Sequence, residues 1–142
     1  MITINATDVR NNWSSIVDSV VRDKKPKFIK RTRDYMLLSD INIFEGVLSP
    51  YTFTADRYVE DDGSITLGLI EIDLAENGKD DDEALKKMAA AILEYAEDYY
   101  NEFELWYSAP NRKGHFPYVL KALILNDTAK IGGLITCRPG EI

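Results

Sequence analysis

Three stretches of sequence decide the fold of the first third of the chain. The first is its opening, Met1–Ser14 (MITINATDVRNNWS), and two others follow it. These are a basic segment, Lys24–Arg31 (KKPKFIKR), and an apolar one, Tyr35–Asp40 (YMLLSD). Residues 1–4 alternate weakly between apolar and polar side chains, which predicts an edge strand. Thr7 or Asp8 can accept a hydrogen bond from a free backbone N–H and so cap a first helical turn. The opening therefore predicts a short strand that leads into a helix.

A second helix and a hairpin are predicted next. Apolar side chains recur at the spacing of one helical face over residues 13–22, at Trp13, Ile16, Val17, Val20 and Val21. Pro26 ends this helix, because proline disfavours a helical conformation in the residue before it. The β-prone runs Phe28–Arg31 and Tyr35–Leu38 flank a polar turn, Thr32–Asp34, and predict a hairpin.

A domain boundary is predicted near residue 50. Asp40 can cap a last short helix, Ile41–Leu48, and Ser49-Pro50 then interrupts regular structure. We therefore expect a first domain over residues 1–49 and a second over residues 50–142, both of the α+β class.

The second domain is predicted to contain an antiparallel sheet and one long helix. The helix is expected over residues 82–101, because this stretch has one apolar face and an acidic start. A tail, Asn126–Ile142, closes the chain. Strands are expected at Tyr51–Val59, Ser64–Leu74, Phe103–Ser108 and Tyr118–Leu125, the first two joined by the turn at Glu60–Gly63.

Composition argues against several classes of protein. A single cysteine excludes an intramolecular disulfide, and with a single histidine it argues against a Cys/His zinc site. No apolar run approaches the roughly 18 residues that span a bilayer, and the polar opening does not resemble a secretory signal. We expect a soluble, cytoplasmic protein with no membrane partner and no cofactor.

Charge is distributed unevenly along the chain. The formal net charge is −7, which alone argues against a nucleic-acid partner. Residues 1–47, however, hold eight Lys/Arg and six Asp/Glu, whereas the rest of the chain holds nine and eighteen. Seven of the eight basic residues fall within Arg22–Arg33. This asymmetry predicts a basic binding end and an acidic end; the alternative is a solvated basic turn with no partner.

The N-terminal motifs resemble those of the Phd/YefM antitoxin family, in which a short strand, two small helices and a hairpin form a dimeric DNA-binding unit. Val9–Ser14 (VRNNWS) is similar to the family's Ala-Arg-x-Asn-Leu-Ser, and Phe28–Arg31 is similar to its Ile-Thr-Arg segment on the hairpin. The resemblance covers roughly a third of the chain. Val9 and Trp13 depart from the pattern, and the hairpin turn lacks the family's glycine.

The resemblance implies operator contacts from Arg10 and Arg31, and the chemistry of these residue types is consistent with that role. An arginine on a short helix presents a bidentate fork to a phosphate or to guanine O6 and N7. Polar neighbours can add hydrogen bonds to the DNA backbone or base edges. We predict DNA binding by Arg10, Asn11, Ser14, Lys30 and Arg31.

A second departure from the family concerns the toxin partner. Family members usually carry a short acidic tail that is disordered alone and folds on a toxin. Here about 90 residues follow Pro50, with apolar content sufficient for a core. We expect a folded acidic domain either to bind the toxin itself or to present the tail for binding. Apolar contacts with the toxin are expected from Ile131, Leu134 and Ile135.

The C-terminal half also resembles the HicB-like antitoxin domain, a small α+β fold. The residues that carry this resemblance are the turn at Asp62-Gly63, the helix start at Asp81–Leu85 and Leu93–Tyr95 within the helix.

Four groups admit a chemical interpretation, but a structural one is preferred for each. Asp80–Asp82 is interpreted as a helix cap rather than a metal site. The aromatic series Tyr95–Tyr107 is interpreted as core and rim rather than a platform for bases. His115 has no nucleophile nearby in sequence, so it is not assigned as a general base. Cys137 stands next to Arg138, which can lower a thiol pKa, but no role is assigned to it.

Two functions from different classes stay open. The first is an antitoxin and transcriptional autorepressor: a homodimer that binds operator DNA and neutralises a toxin, with a RelE-type toxin favoured and a Doc-like or PIN-like one possible. The second is a protein-interaction module that has lost DNA binding. No nucleophile–base pair or metal set can be assembled, so an enzyme is not predicted.

Overall fold

The computed structural model describes residues 2–140, which form two compact units: unit 1, up to Val47, and unit 2, from Leu48. This division falls two residues before the boundary expected from the sequence. Helices and strands occur in both units, which confirms the α+β class.

Unit 1 is a three-stranded sheet with three short helices. Its strand β2 pairs in parallel with β1 and antiparallel with β3, so that Ile29 lies opposite both Ile4 and Met36. The predicted second helix, hairpin and last helix are confirmed. The elements are β1 (Ile4–Asn5), α1 (Ala6–Asn11), α2 (Trp13–Arg22), β2 (Lys27–Arg31), β3 (Asp34–Leu38) and α3 (Ile41–Val47).

The start of unit 1 differs from the prediction. The strand occupies Ile4–Asn5 rather than residues 1–4, of which Met1 lies outside the described residues. Asn5 caps α1, because its Oδ1 accepts the N–H of Thr7 at 2.8 Å. The predicted caps, Thr7 and Asp8, are wrong, because both already lie within the first turn. Asn5 combines an extended backbone with a short side-chain acceptor, which favours the N-cap position.

The hairpin turn closes without a glycine because Thr32 adopts a left-handed conformation, with φ of 57°. Glycine adopts this conformation readily, whereas a β-branched residue does so under strain. Arg31 and Asp34 are still paired across the turn, so the hairpin keeps its register.

Unit 2 is a mixed four-stranded sheet packed against helices. The strand order is β6-β5-β4-β7; the first three strands are antiparallel, and β7 lies parallel to β4. The elements are β4 (Phe53–Val59), β5 (Ile65–Leu69), β6 (Leu74–Gly78), α4 (Asp81–Asn101), α5 (Phe103–Ser108), a 3₁₀ turn (Lys113–His115), α6 (Phe116–Leu125), α7 (Thr128–Leu134) and β7 (Ile135–Pro139).

Helix α4 is the centre of unit 2, and its prediction is confirmed. Asp80 caps it, with Oδ1 accepting the N–H of Glu83 at 2.9 Å. The helix contacts β5, β6, α6 and α7. Its buried residues are Ala84, Met88, Ala89, Ile92, Ala96 and Tyr99, which share one core with the sheet residues Phe53, Ala55, Ile65, Leu67 and Leu69.

The predicted strand Ser64–Leu74 extends too far: it covers β5 and the turn that follows, and it reaches only the first residue of β6. A turn over residues 70–73 separates β5 from β6. Asp73 adopts a left-handed φ of 55° there, which aspartate tolerates better than most residues. The N–H of Ile70 donates to the carbonyl of Thr54 at 3.0 Å, which holds the turn against the start of β4. Apolar residues recur at every second position on both sides of the turn, but the alternation shifts by one residue between Leu69 and Ile70, where the turn begins; the sequence analysis extended the strand across this shift.

The predicted strands Phe103–Ser108 and Tyr118–Leu125 are helices α5 and α6. Their aromatic and aliphatic residues favour strands by local propensity. Tertiary packing overrides that preference, because the rings of Phe103 and Tyr107 both pack edge-on against Phe116, with ring centroids 5.3 and 5.6 Å apart. In α6, Val119 and Ala122 share the buried face.

The tail is folded. Asp127 caps α7, in which Ile131 is completely buried, and β7 pairs in parallel with β4 from Ile135 opposite Phe53 to Pro139 opposite Arg57. Glu141 and Ile142 lie outside the described residues. Over its described length the tail is therefore part of the core and of the sheet.

A substitution at Gly78 tests the packing of β6 against α4. A Cβ atom there would overlap the backbone of Glu83 and Ala84 at the start of α4. We expect Gly78→Ala to lower the free energy of unfolding by about 1–3 kcal/mol in urea titrations. Gly133→Ala is the control, because within residues 2–140 no atom outside its own helix backbone and chain neighbours lies within 4 Å of its Cβ position. Equal stability of the two variants would contradict the described packing.

Candidate nucleic-acid and partner-binding surfaces

Three of the predicted DNA-binding residues lie where α1 meets α2. Arg10 and Asn11 end α1, Ser14 lies in the first turn of α2, and all three are exposed. Among residues 2–140, no hydrogen bond or ion pair engages their side chains. Their neighbour Asn12 is occupied, since its Nδ2 donates to the carbonyl of Asp8 at 2.9 Å. These three side chains are therefore available to a ligand.

Lys30 and Arg31 are exposed neighbours on β2, but they leave the strand on opposite faces, because side chains alternate along a strand. The Nζ of Lys30 lies 5.5 Å from the ring centre of Tyr35. Arg31 is 4.0 Å from Asp34 with 74% of its side chain exposed, and such surface pairs hold a side chain weakly. Both residues can contact a ligand, from different sides of the hairpin.

Part of the basic segment serves the fold. The Nζ of Lys24 pairs with Oδ2 of the buried Asp40 at 3.2 Å. Oδ1 of Asp40 accepts the N–H of Asn42 at 2.8 Å and so caps α3, as predicted. The hydrogen bond from Asn42 and the pairing with Lys24 hold the pKa of Asp40 below its usual range. The charge count of the sequence thus overstates the number of cations free to bind DNA.

Unit 1 also carries an apolar groove that the sequence did not reveal. Its volume is about 640 Å³. Trp13, Met36 and Leu37 line it with about half of their area exposed. The remaining lining residues are Ala6, Val9, Arg10, Ile29 and Leu38. The groove therefore places an apolar surface next to Arg10.

The three predicted toxin-contacting residues lie in different environments. Ile131 is completely buried, Leu134 is 44% exposed and Ile135 is half-buried at the start of β7. A partner could touch Ile131 only if α7 left the core, whereas Leu134 is accessible as it stands.

The acidic start of α4 is structural, as expected. Asp80 caps the helix, Asp81 binds Arg57 through two hydrogen bonds of 2.6 and 3.1 Å, and Asp82 pairs with Lys86 at 3.0 Å. Within residues 2–140 no group of three His, Cys, Asp or Glu side chains could hold a metal ion.

The aromatic series and His115 form a packed cluster. Tyr99 is buried, and its Oη donates to the carbonyl of Arg112 at 2.8 Å. His115 Nδ1 lies 2.6 Å from the Oη of Tyr95, and burial together with the charge of Arg112 lowers the pKa of His115. The preferred interpretation of the series as core and rim is confirmed: Tyr99 is buried and Tyr95 and Trp106 pack against the core, whereas Tyr100, Phe103 and Tyr107 are 66%, 37% and 37% exposed.

Cys137 is exposed on β7, but its surroundings do not activate it. Partial desolvation of the thiol and the nearby carboxylate of Asp81 raise the pKa of Cys137, against the smaller opposing effect of Arg57. The neighbouring Arg138 instead donates to Asp56 at 2.6 Å. The thiolate needed for nucleophilic chemistry is thus disfavoured.

No helix within residues 2–140 is long and apolar enough to cross a membrane.

Comparison with known proteins identifies the family. The sequence matches the PHD_like family, described as "Antitoxin of toxin-antitoxin, RelE / RelB, TA system", over residues 1–137. The fold is also similar to a crystal structure from Syntrophomonas wolfei subsp. wolfei, solved as an antitoxin part of a proposed toxin/antitoxin system. The TM-score is 0.91 with 42% sequence identity, over 98% of this chain and 99% of the other.

No curated protein matches the sequence. A HicB-like domain appears in neither of the matches that were found. Because the family match extends through both units, the chain belongs to the PHD_like family of antitoxins of RelE/RelB toxin–antitoxin systems.

Proposed function

We propose that this antitoxin binds operator DNA as a homodimer of the Phd/YefM type, represses its own operon and neutralises a cognate toxin. The observation that carries the DNA-binding part is the set of exposed side chains Arg10, Asn11 and Ser14, unengaged within residues 2–140 and adjoining an apolar groove. As an antitoxin, the chain is a regulatory protein and not an enzyme.

The groove supports dimerisation of unit 1. Only three apolar residues of this unit, Val9, Val20 and Ile29, are buried among the residues described. A unit of about fifty residues buries a small fraction of its surface and is marginally stable alone. Many of its apolar side chains are roughly half exposed, namely Trp13, Val21, Phe28, Tyr35, Met36, Leu37, Ile41 and Val47. A second copy that covers the groove would supply the missing core.

Dimerisation would also organise the DNA contacts. A two-fold axis would place two copies of Arg10 on one side of the dimer, one for each half of a two-fold symmetric operator. Because Arg10 lines the groove, formation of the interface and the position of its guanidinium would be coupled.

Unit 2 is proposed to bind the toxin. It carries nine basic and eighteen acidic residues, so its field favours a basic partner. A RelE-type toxin that acts on the ribosome or on RNA would carry such a positive surface, and the RelE/RelB description of the family supports this type over a Doc-like or PIN-like one.

The operator contacts can be tested by substitution. We expect Arg10→Ala and Arg31→Ala each to weaken binding to the upstream DNA by about 1–3 kcal/mol in gel-shift titrations, because each removes a bidentate donor. Binding should also weaken steeply with salt. The control is the double variant Lys86→Ala/Lys130→Ala. It removes two positive charges from unit 2, as many as Arg10→Ala/Arg31→Ala removes from unit 1, and it should bind as the wild type does. If Arg10→Ala/Arg31→Ala leaves the affinity unchanged, the protein-interaction module without DNA binding becomes the better function.

The dimer has its own test. Met36 lines the groove and is 50% exposed, so Met36→Glu should leave the fold of the full chain intact while charging the interface. In sedimentation velocity at micromolar concentration, we expect the wild type to be a dimer and Met36→Glu a monomer. Val59→Glu, at a 62% exposed position of unit 2, is the control and should remain dimeric. A monomeric wild type would contradict the proposal.

A further inference from the structure

Acidic residues collect at the junction of α4 and α5 with no basic residue near them in sequence. No Lys or Arg occurs between Lys87 and Arg112, whereas five exposed carboxylates do. No ion pair among the described residues involves any of them. We call this surface the acidic corner; its carboxylates are Glu94, Glu97, Asp98, Glu102 and Glu104.

The carboxylates on α4 oppose the stability of their own helix. Glu94 lies three and four residues from Glu97 and Asp98, so like charges share one helical face. Asp98 also lies in the last turn of α4, at the negative end of the helix dipole, which disfavours a carboxylate there. The acids at the start of the same helix are arranged in the opposite way, with lysine partners for Asp82 and Glu83. Within residues 2–140 no ion pair compensates the arrangement at the end of the helix, and such local conflicts are typical of functional surfaces.

The same junction exposes large apolar side chains. Tyr100 is 66% and Leu105 67% exposed, and the stacked pair Phe103 and Tyr107 is 37% exposed at each ring. A depression of about 630 Å³ lies beside them, lined by Asn101, Glu102, Phe103, Glu104, Leu105 and Ser108. Apolar anchors within a charged rim are typical of protein-binding surfaces.

We propose that the acidic corner is the docking surface for the toxin, a basic protein that seats an apolar side chain in the depression and places Lys or Arg against the carboxylates. This proposal rests on the proposed function. Charge complementarity selects the occupant: nucleic acid and a second copy of the same corner are both repelled, whereas a cationic protein relieves the repulsion among Glu94, Glu97 and Asp98. The toxin then needs no contact with the buried Ile131.

The test measures stability and affinity together. Glu94→Gln/Glu97→Gln/Asp98→Asn removes three charges from the corner. We expect its melting temperature to be equal to or above that of the wild type, and its affinity for the purified protein of the adjacent reading frame to fall at least about tenfold in titration calorimetry. Leu105→Ser, at the rim of the depression, should weaken the same complex.

The control removes the same charges elsewhere in unit 2. Glu60→Gln/Asp61→Asn/Glu76→Gln takes two glutamates and one aspartate that have no ion pair among the described residues, and it should bind within about twofold of the wild type. If the corner variant binds as tightly as this control, the docking surface is wrong although the antitoxin function stands. If the wild type neither binds the adjacent protein nor rescues growth, the proposed function itself fails. Loss of self-association in the corner variant, with toxin binding unchanged, would assign the corner to a second copy and overturn the proposal.

Discussion

Burial of one face of α4 is the constraint on which the rest of unit 2 depends. Met88, Ile92 and Tyr99 are fully buried, and each such side chain stabilises the fold by about 1.5–3 kcal/mol relative to exposure. The sheet packs on this face, and so do α6 and α7. Tyr99 also holds the segment beyond α4 in place. Its ring contacts Phe103, Trp106 and Phe116, and its hydroxyl donates a hydrogen bond to the carbonyl of Arg112.

The position of the tail follows from this packing. Ile131 completes the core on α4, and β7 then extends the sheet beside β4. A segment that completes the core and the sheet of a domain can wrap around a partner only if part of that domain unfolds. Capture by a folding tail, which is usual in the family that the N-terminal motifs resemble, does not fit a tail packed in this way. Capture on a preformed surface, the expectation from the sequence, does. Such a surface binds without the ordering entropy that a disordered segment loses.

Sequence patterns predicted the elements whose periodicity is strong and whose ends carry a chemical signal. The amphipathic faces of α2 and α4, the turn of the N-terminal hairpin and the caps at Asp40 and Asp80 belong to this class. The failures at α5 and α6 have a common cause. Their aromatic and aliphatic residues raise the local β propensity, whereas the packing that accompanies the helices, such as that of Phe103 and Tyr107 on Phe116, joins residues that no local pattern relates. The parallel pairing of β7 with β4 joins residues about eighty positions apart, and no local pattern reports it.

Sequence patterns likewise identified some of the candidate surface residues and missed others. Arg10, Asn11, Ser14, Lys30 and Arg31 were identified from a local motif, and all five are exposed. The groove beside Arg10 and the acidic corner were not identified, because exposure of an apolar side chain is a property of packing. For the corner a sequence signal did exist, namely the absence of Lys and Arg between residues 87 and 112.

Amide hydrogen exchange of the full chain without any partner tests the central claim, that unit 2 is folded through its tail before it meets a toxin. We expect amides of Ile131 and of β7 to exchange as slowly as those in the middle of α4, because they open only when the whole unit unfolds. Fast exchange across residues 128–139, with α4 still protected, would show a tail that is free in the absence of the toxin and would contradict the account.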